Sequence, residues 1–353
     1  MQIKIDPQLI VPEYPKIPED CHIIENENSI HIYGLEESLV FSGENSLSLL
    51  KTLLPILDGK NSTTNILKNY EGNEKEHIVM ILKYLYYKGL FEKYDEIVDK
   101  DGTDNNNGNL KYYSRCVDIT RNSANRYEVI DKITTYPLLV IGNSELSTEI
   151  LNELKGAGFK NIELIMIENE DLANILNNKI SISNIMESSA IKPNLHVLCA
   201  LDRSIPLLFQ KINEFTYKEK LNLTVSCLLE KSFIIGPTFI PDETGCYFCY
   251  EQRIHANTVD LDSLLIRNSF LNQTSTGPFA HTNYNKNLYI SMLVAEIVNL
   301  ATFINYPQTV DNEMEYNFIY TKLAKTRYYR SPSCKLCSKN VNSSRFIFSG
   351  EKQ

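Results

Sequence analysis

Two pairs of cysteines, each with a two-residue gap, are the most specific chemical signal in the sequence. Cys246 and Cys249 form the first pair, and Cys334 and Cys337 form the second. The gap lets both thiolates of one tight turn bind the same ion, and two such turns complete a tetrahedral set of four sulfur ligands, which suits zinc. Four thiolates leave no open coordination position. We therefore predict a structural zinc site, with a redox-active cysteine pair as the alternative.

A second candidate site is the turn that follows the apolar run at 138–141. In nucleotide-binding folds this turn carries several glycines, because backbone N–H groups at the start of the next helix bind phosphate. Here only Gly142 is present, followed by Asn143 and Ser144, and Glu145 adds a negative charge where a phosphate would lie. We interpret this segment as a degenerate nucleotide loop and do not expect ATP to bind to the chain.

One further acidic residue bears on whether the chain binds a nucleotide. Glu168 follows the second apolar strand, where a ribose-binding acid is expected in nucleotide-binding folds. An exposed glutamate at the end of a strand is the alternative interpretation.

The predicted helices and strands that must position these residues fall into two groups, separated by a polar segment of the chain. Residues 101–109 contain no apolar side chain and are rich in glycine and asparagine, which is typical of a flexible tether. We predict a first domain at 1–95, a linker at 96–110 and a second domain at 111–353. In the second domain, apolar strand-like runs alternate with helix-compatible segments, which predicts a parallel, doubly wound α/β sheet of the Rossmann type.

The first 95 residues predict strands followed by helices. Short β-rich runs at 21–25, 29–33 and 37–41 are separated by turn-forming residues, and apolar stripes with helical spacing follow. Three strands and three helices in this length predict a winged-helix-like module. Such a module could bind DNA, but it carries nine lysines, no arginine and fifteen acidic residues, which excludes a polyanionic partner.

The composition of the whole chain agrees with this division. The chain has 353 residues, 43% of them hydrophobic, and a net charge of −9, as expected for a globular protein that binds neither nucleic acid nor an anionic membrane. The apolar run at 288–304 includes Glu296 and Asn299 and predicts a buried helix. The chain start has no signal-peptide pattern and the other four cysteines are scattered, so we predict a cytoplasmic protein.

Several segments resemble the ThiF-like, ubiquitin-activating-type adenylating fold. Residues 112–116 (Tyr-Tyr-Ser-Arg-Cys) resemble its R-Y-S-R-Q entry motif, and residues 199–202 (Cys-Ala-Leu-Asp) resemble the strand that ends in its aspartate, here Asp202. Residues 236–249 resemble its G-P…P…C-x-x-C crossover, and residues 330–337 are similar to its closing zinc knuckle. The resemblance covers about 110–340 and implies a homodimer.

The first module narrows the resemblance to the leader-peptide-binding proteins of thiazole- and oxazole-modified peptide biosynthesis, which include the cyclodehydratase C components and the ocin-ThiF-like proteins. In that family the leader of a ribosomal precursor peptide adds to the third strand and lies against the third helix, and a YcaO protein forms the heterocycles from cysteine, serine or threonine. The resemblance implies that the leader docks on Glu37, Ser38, Leu39, Val40 and Phe41 and lies against the helix at 74–88. On that helix Val79, Lys83 and Tyr86 lie off the apolar core stripe, so we predict that they line the groove, with a solvated helix face as the alternative.

The function predicted from the sequence is a scaffold that is not itself an enzyme. It would bind the leader of a bacteriocin- or thiopeptide-type precursor and deliver the peptide to a YcaO cyclodehydratase. The alternative is an ATP-dependent adenylating enzyme that acts on a peptide carboxylate.

Overall fold

The computed structural model describes residues 9–19, 21–35, 37–93, 108–116, 122–186, 194–273 and 277–338. Contacts divide the chain into one unit of Met1–Ile133 with Asn299–Tyr306 and another of Thr134–Val298 with Pro307–Gln353. Most of the predicted linker lies outside the described residues, so the domain limits derived from the sequence remain a prediction.

Four strands of the first unit precede its three main helices, as the sequence predicts for three of them, and a short fifth strand follows these helices. The strands are β1 (Pro15–Lys16), β2 (His22–Glu25), β3 (Ser29–Tyr33), β4 (Leu39–Ser42) and β5 (Glu92–Lys93), and the first helices are α1 (Glu44–Leu53), α2 (Thr63–Lys68) and α3 (Gly72–Tyr87). β3 is the middle strand of an antiparallel sheet with β2 and β4. Its alternate residues Ile30 and Ile32 are fully buried in a core that the leucines of α1 and α3 complete.

A short strand pair, which the sequence analysis missed, is closed by a buried ion pair. β1 pairs with β5, where Glu92 is buried. Arg126, the first residue of helix α5 (Arg126–Thr135), is equally buried and donates through Nε to both carboxylate oxygens of Glu92, at 3.0 and 3.2 Å. Ser114 of α4 (Gly108–Cys116) donates to the same carboxylate at 3.0 Å. Because each charge is satisfied by the other, removal of either partner would leave an uncompensated buried charge.

The second unit is built on one seven-stranded sheet. Its strands are β6 (Leu138–Gly142), β7 (Ile162–Met166), β8 (His196–Leu201), β9 (Asn222–Leu228), β10 (Ser232–Phe239), β11 (Asn312–Asn317) and β12 (Lys322–Arg327), in the spatial order β12-β11-β10-β9-β8-β6-β7. The helices are α6 (Glu145–Gly156), α7 (Asn169–Leu176), α8 (Ile182–Met186), α9 (Pro206–Lys218), α10 (Tyr247–Asn257), α11 (Leu261–Leu271) and α12 (Asn283–Thr302).

The sheet is only partly the parallel sheet that the sequence predicts. β7, β6, β8 and β9 run parallel, and β6 and β8 are buried throughout, as expected for strands covered on both faces. β10, β11 and β12 extend the sheet in antiparallel pairs. The fold is therefore a mixed α/β fold. No helix among the described residues is long and apolar enough to cross a membrane.

A line of buried polar side chains crosses the sheet and connects its strands. Its members are hydrogen-bonded in the order Tyr136, His196, Thr224, Thr238, Thr309 and Glu296, with distances of 2.7–2.9 Å. The Glu296 carboxylate also accepts the Thr309 backbone N–H at 2.8 Å, so it is the acceptor at the end of the line. Each hydroxyl then donates toward Glu296, which assigns the His196 proton to Nε2 and leaves Nδ1 to accept from Tyr136.

Candidate functional site

The four paired cysteines meet in one buried cluster of the second unit. The Sγ atoms of Cys246 and Cys334 are 3.5 Å apart, those of Cys249 and Cys337 are 3.3 Å apart, and all four lie within 4.8 Å of one another. Sulfurs at about 2.3 Å from one tetrahedral zinc ion would lie about 3.8 Å apart. The four side chains are at most 2% exposed. The cluster therefore has the donor set, spacing and burial of a closed metal site, and it could bind zinc.

Helix and loop contacts hold the two halves of this cluster in place. Cys246 is the N-cap of α10, so Cys249 lies in the first turn of that helix. The second pair follows β12, where the guanidinium of Arg330 donates to the Thr244 carbonyl at 2.8 and 3.0 Å. The backbone N–H of Ser331 donates to Cys249 Sγ at 3.3 Å. These bonds join segments that lie more than 80 residues apart, as expected of a metal that clamps two distant loops.

Two further buried cysteines in the described part of the chain are not candidate nucleophiles. Cys199 in β8 and Cys227 in β9 are fully buried, and this burial raises the pKa of both thiols, that of Cys227 to about 12. A thiol with such a pKa carries almost no thiolate at neutral pH. We conclude that these two side chains belong to the apolar core.

The degenerate loop meets the end of β8 at the point where the strand order of the sheet reverses. From β6 the chain continues to β7 on one side, whereas β8 lies on the other side. Asn143 follows β6 and Asp202 follows β8, and they bond reciprocally. Asn143 Nδ2 donates to Asp202 Oδ1 at 2.7 Å, and the Asp202 backbone N–H donates to Asn143 Oδ1 at 3.1 Å. Open α/β sheets bind ligands at this switch point, outside the carboxyl ends of the strands.

The single glycine of the loop has a packing role. A Cβ on Gly142 would lie 1.8 Å from Ser147 Oγ and 2.2 Å from Ser147 Cβ in the first turns of α6. Rotation of the serine side chain cannot relieve the second contact. Gly142 therefore lets α6 pack closely on β6, which is the role of one glycine in nucleotide-binding turns.

The acidic residues near the loop are directed to solvent. Glu145 is the first residue of α6 and is exposed, whereas Ser144 Oγ, one residue earlier, is buried and has no hydrogen-bond partner among the described residues. Glu168 is also exposed, at the N-cap of α7. The charge of Glu145 that the sequence placed over a phosphate is therefore screened by water.

Arg203 is a component of this region whose importance the sequence analysis missed. It directly follows Asp202, is 3% exposed and places Nη1 3.4 Å from Asp202 Oδ1. Its Nε and Nη2 atoms are buried, with no hydrogen-bond partner in the described part of the chain. The only sequence signal was an arginine directly after an apolar strand, and burial of such a residue depends on tertiary packing.

The predicted leader-binding strand lies beside the predicted helix in the first unit. The rings of Phe41 in β4 and Tyr84 in α3 meet edge to face, with centroids 6.1 Å apart. Glu37 precedes β4 and forms a 2.7 Å ion pair with Lys88 after α3, and hydrogen bonding by Lys88 lowers the pKa of Glu37. β4 begins at Leu39 rather than at Glu37, so Glu37 and Ser38 lie in the preceding turn.

The predicted residues of α3 lie farther around the helix axis from Tyr84, which contacts β4, than Met80 and Tyr87 do. At about 100° per residue, Val79 and Tyr86 are about 140–160° around the helix axis from Tyr84, and Lys83 is about 100° away. Met80 and Tyr87 lie within about 60° of Tyr84, and they are 55% and 58% exposed. Tyr84 of α3 thus contacts Phe41 of β4, and Met80 and Tyr87 lie on the same side of the helix as Tyr84. The binding role of Val79, Lys83 and Tyr86 stays a prediction.

The fold is similar to that of known peptide-modifying proteins, although no family model and no curated protein matches the sequence. The heterocyclase TruD has a TM-score of 0.63 and 16% identity, over 92% of this chain and 43% of TruD. A heterocyclase in complex with substrate and cofactor has a TM-score of 0.63 and 14% identity, over 94% of this chain and 40% of that one. MccB from E. coli, solved with MccA-N7isoASN, has a TM-score of 0.62 and 14% identity, over 92% of this chain and 99% of MccB.

These similarities show the fold and correct one prediction. The chain spans less than half the length of the two heterocyclases and almost the whole of MccB. The prediction that the chain is not an enzyme is wrong, because the structures that share its fold are of heterocyclases and of MccB, which has also been solved with ATP and with AMPCPP.

Proposed function

We propose that this chain binds a precursor peptide through its first unit and uses ATP to activate a carboxylate of a peptide. The observation that carries this proposal is the reciprocal bond between Asn143 and Asp202 at the switch point of the sheet. The fold is similar to that of MccB over almost the whole length of MccB, and structures of MccB have been solved with ATP and with MccA. Both findings support the same function.

The residues of the switch point suit a magnesium nucleotide. Asp202 is 7% exposed and supplies a carboxylate, the ligand type that Mg²⁺ takes together with substrate phosphates. Asn143 fixes the orientation of that carboxylate, because its Nδ2 donates to Asp202 Oδ1. Glu168 at the start of α7 can accept hydrogen bonds from ribose hydroxyls. ATP supplies the leaving group: a carboxylate oxygen bonds to the α-phosphorus, the bond between the α-phosphorus and the bridging oxygen breaks, and pyrophosphate leaves.

The missing glycines do not exclude this reaction, contrary to the expectation from the sequence. The glycines of such loops allow a close approach of the backbone to phosphate and a close approach of helix to strand. Gly142 retains the second role. A helix N-terminus contributes only about 0.3–1 kcal/mol to anion binding. Because this contribution is small, a positively charged side chain or a metal ion can replace it.

Peptide capture would use the free edge of β4. This strand pairs with β3 and with no other strand among the described residues, so its outer edge can pair with an extended peptide. Val40 is 59% exposed, on the face of the strand opposite Leu39 and Phe41, and Met80 and Tyr87 lie on the side of α3 from which Tyr84 contacts Phe41. We propose this surface as the leader-binding groove, together with the predicted Leu39 and Phe41.

The metal would have a structural role. Zinc bound by Cys246, Cys249, Cys334 and Cys337 would join the start of α10 to the segment after β12. Four thiolates leave no position for substrate, so we assign the metal no step in the reaction.

A second candidate function follows from the comparison with the heterocyclases. The chain corresponds to 43% of TruD, so the rest of such an enzyme lies outside the region that this chain matches. In this case the chain would be the peptide-binding component of a heterocyclase, with a YcaO-type protein as its partner. Heterocycle formation that requires both proteins would support this candidate, and the predicted homodimer would be tested by the mass of the chain in solution.

Nucleotide binding is the direct test of the first proposal. We expect calorimetry of the full chain with MgATP to give a measurable dissociation constant, and Asp202→Asn to weaken it at least tenfold. The control is Glu214→Gln, which changes a carboxylate on α9 that we assign no role. A titration of MgATP into the wild-type chain that gives no heat of binding would contradict the proposal.

A further inference from the structure

Arg203 is a buried cation whose hydrogen-bonding capacity is mostly unused. The residue is 3% exposed, and its one contact to an acid among the described residues is the 3.4 Å bond from Nη1 to Asp202 Oδ1. The Nε and Nη2 atoms have no partner within the described residues. Leaving buried donors of a charged group without partners is costly, so such a group is normally paired or serves a ligand.

The two unpartnered nitrogens belong to one edge of the guanidinium. Nε and Nη2 point their N–H groups in parallel from the same side of the planar group. This edge binds two oxygens of a carboxylate or phosphate at once. The single weak contact uses Nη1, so the bidentate edge is the part that remains available.

The surroundings of Arg203 are those of a ligand site. Asp202, its neighbour in the chain, is held by Asn143 at the switch point of the sheet. Ser144, next to Asn143, has a second buried polar atom without a partner, Oγ, at the N-cap of α6. Each residue of the Asn143–Asp202 pair is thus followed in the chain by a residue with a buried donor that has no partner among the described residues, and an oxyanion is the kind of ligand that such donors bind.

We infer that Arg203 binds the reacting oxyanion at the switch point, through two parallel hydrogen bonds from Nε and Nη2 to a phosphate or carboxylate group. This inference rests on the proposed function for the origin of the group, which is either a phosphate of ATP or the carboxylate of the peptide. In this role Arg203 supplies the positive charge that the glycine-poor loop does not supply.

A second buried arginine in the same chain provides a matched control. Arg126 is also 3% exposed, but its guanidinium is fully engaged by Glu92 and Ser114. If Arg203 is retained for a ligand, Arg203→Met should leave the melting temperature unchanged or higher, because the variant removes an unsatisfied charge. Arg126→Met should lower the melting temperature, because it leaves Glu92 buried without its partner.

The experiment measures thermal unfolding and calorimetric binding of the full chain with three probes: sodium pyrophosphate, AMP and sodium acetate at equal ionic strength. We expect at least one probe to stabilise the wild-type chain, and Arg203→Met to weaken its binding at least tenfold. Arg203→Lys, which keeps the charge without the bidentate edge, should weaken it to an intermediate degree. A response to pyrophosphate or AMP identifies phosphate as the source of the oxyanion, and a response to acetate identifies the carboxylate.

Three results would overturn the inference: no probe stabilises the wild-type chain, all probes bind Arg203→Met as well as the wild type, or Arg203→Met loses as much stability as Arg126→Met. The result is separable from that of the proposed function. ATP binding that is indifferent to Arg203→Met would overturn only the inference. Oxyanion binding that depends on Arg203 in a chain without nucleotide-dependent activity would overturn only the proposed function.

Discussion

Asn143 and Asp202 bond to each other twice across the gap between β6 and β8, once from the asparagine amide to the carboxylate and once from the Asp202 backbone to the asparagine carbonyl. The pair joins the end of the degenerate loop to the end of the neighbouring parallel strand. Because one residue supplies both a donor and an acceptor, the orientation of the carboxylate is fixed before any ligand arrives. Such preorganisation is what a site for a metal-bound phosphate requires.

The amide of Asn143 should therefore be specifically required. Asn143→Asp would place two carboxylates at hydrogen-bonding distance, and we expect it to lower the free energy of unfolding at pH 7 by about 1–3 kcal/mol. Part of this loss should be recovered at about pH 5, where the two groups can share a proton. Asn143→Ala loses both hydrogen bonds without adding a charge, so its loss should be similar at both pH values. Denaturant unfolding of both variants checks this, and an equal pH response would contradict it.

The cysteine cluster should contain about one zinc ion per chain. Cys334→Ser should abolish the metal content and destabilise the second unit, because bound metal contributes directly to folding. Cys21→Ser is the matched control, since Cys21 lies in the first unit and outside the cluster. Elemental analysis of the purified chain measures the metal. Retention of a full equivalent of zinc in Cys334→Ser would show that the four thiolates are not the ligands.

The buried imidazole of His196 should make stability depend on pH. Burial lowers its pKa from 6.5 to about 4, so the unfolded chain binds a proton between these values and the folded chain does not. Stability from this group is complete above pH 6.5 and is lost as the pH falls toward 4, by about 3 kcal/mol at about 1.4 kcal/mol per pH unit.

Replacement of the imidazole tests this contribution. His196→Gln keeps a polar side chain between Tyr136 and Thr224, and we expect a flatter dependence of melting temperature on pH between 4 and 6.5 than in the wild type. The slope is the informative quantity, since the variant can also change the overall stability. Identical slopes in both proteins would show that His196 does not contribute.

Peptide binding should distinguish the two edges of the β2-β3-β4 sheet. Val40 on β4 and Ile24 on β2 are β-branched residues with similar exposure, 59% and 53%, on opposite edge strands. Val40→Glu should weaken binding of a labelled leader peptide at least tenfold, whereas Ile24→Glu should bind it as the wild type does. Fluorescence anisotropy of the labelled peptide provides the measurement. Equal losses in the two variants would contradict the assignment of the groove to β4.

Local patterns predicted part of this architecture correctly. Both C-x-x-C pairs could be assigned to one site because ligand spacing within a turn is a local property, and the cysteines do converge. The buried strands β6 and β8 were evident because strands covered on both faces are apolar throughout. β11 and β12 were missed because their sequences are polar and all of β12 is exposed, so neither strand has an apolar pattern.

Features that depend on tertiary contacts could not be predicted from the sequence alone. The apolar stripe of α3 indicated the side that faces the core, but either remaining flank was equally compatible with a groove. Only the contact between Phe41 and Tyr84 distinguishes the flank of Met80 and Tyr87 from that of Val79 and Tyr86. The burial of Arg203 could not be predicted either, because a charged residue after a strand is ordinarily exposed.

The central claim, activation of a peptide carboxylate by ATP, is tested most directly by ATP–pyrophosphate exchange. The full chain is incubated with MgATP, labelled pyrophosphate and the precursor peptide, and labelled ATP is measured. We predict exchange that requires the peptide and falls at least a hundredfold in Asp202→Asn, with the Glu214→Gln control unchanged. Exchange that stays at the level measured without peptide, or that is the same in Asp202→Asn as in the wild type, would contradict the account.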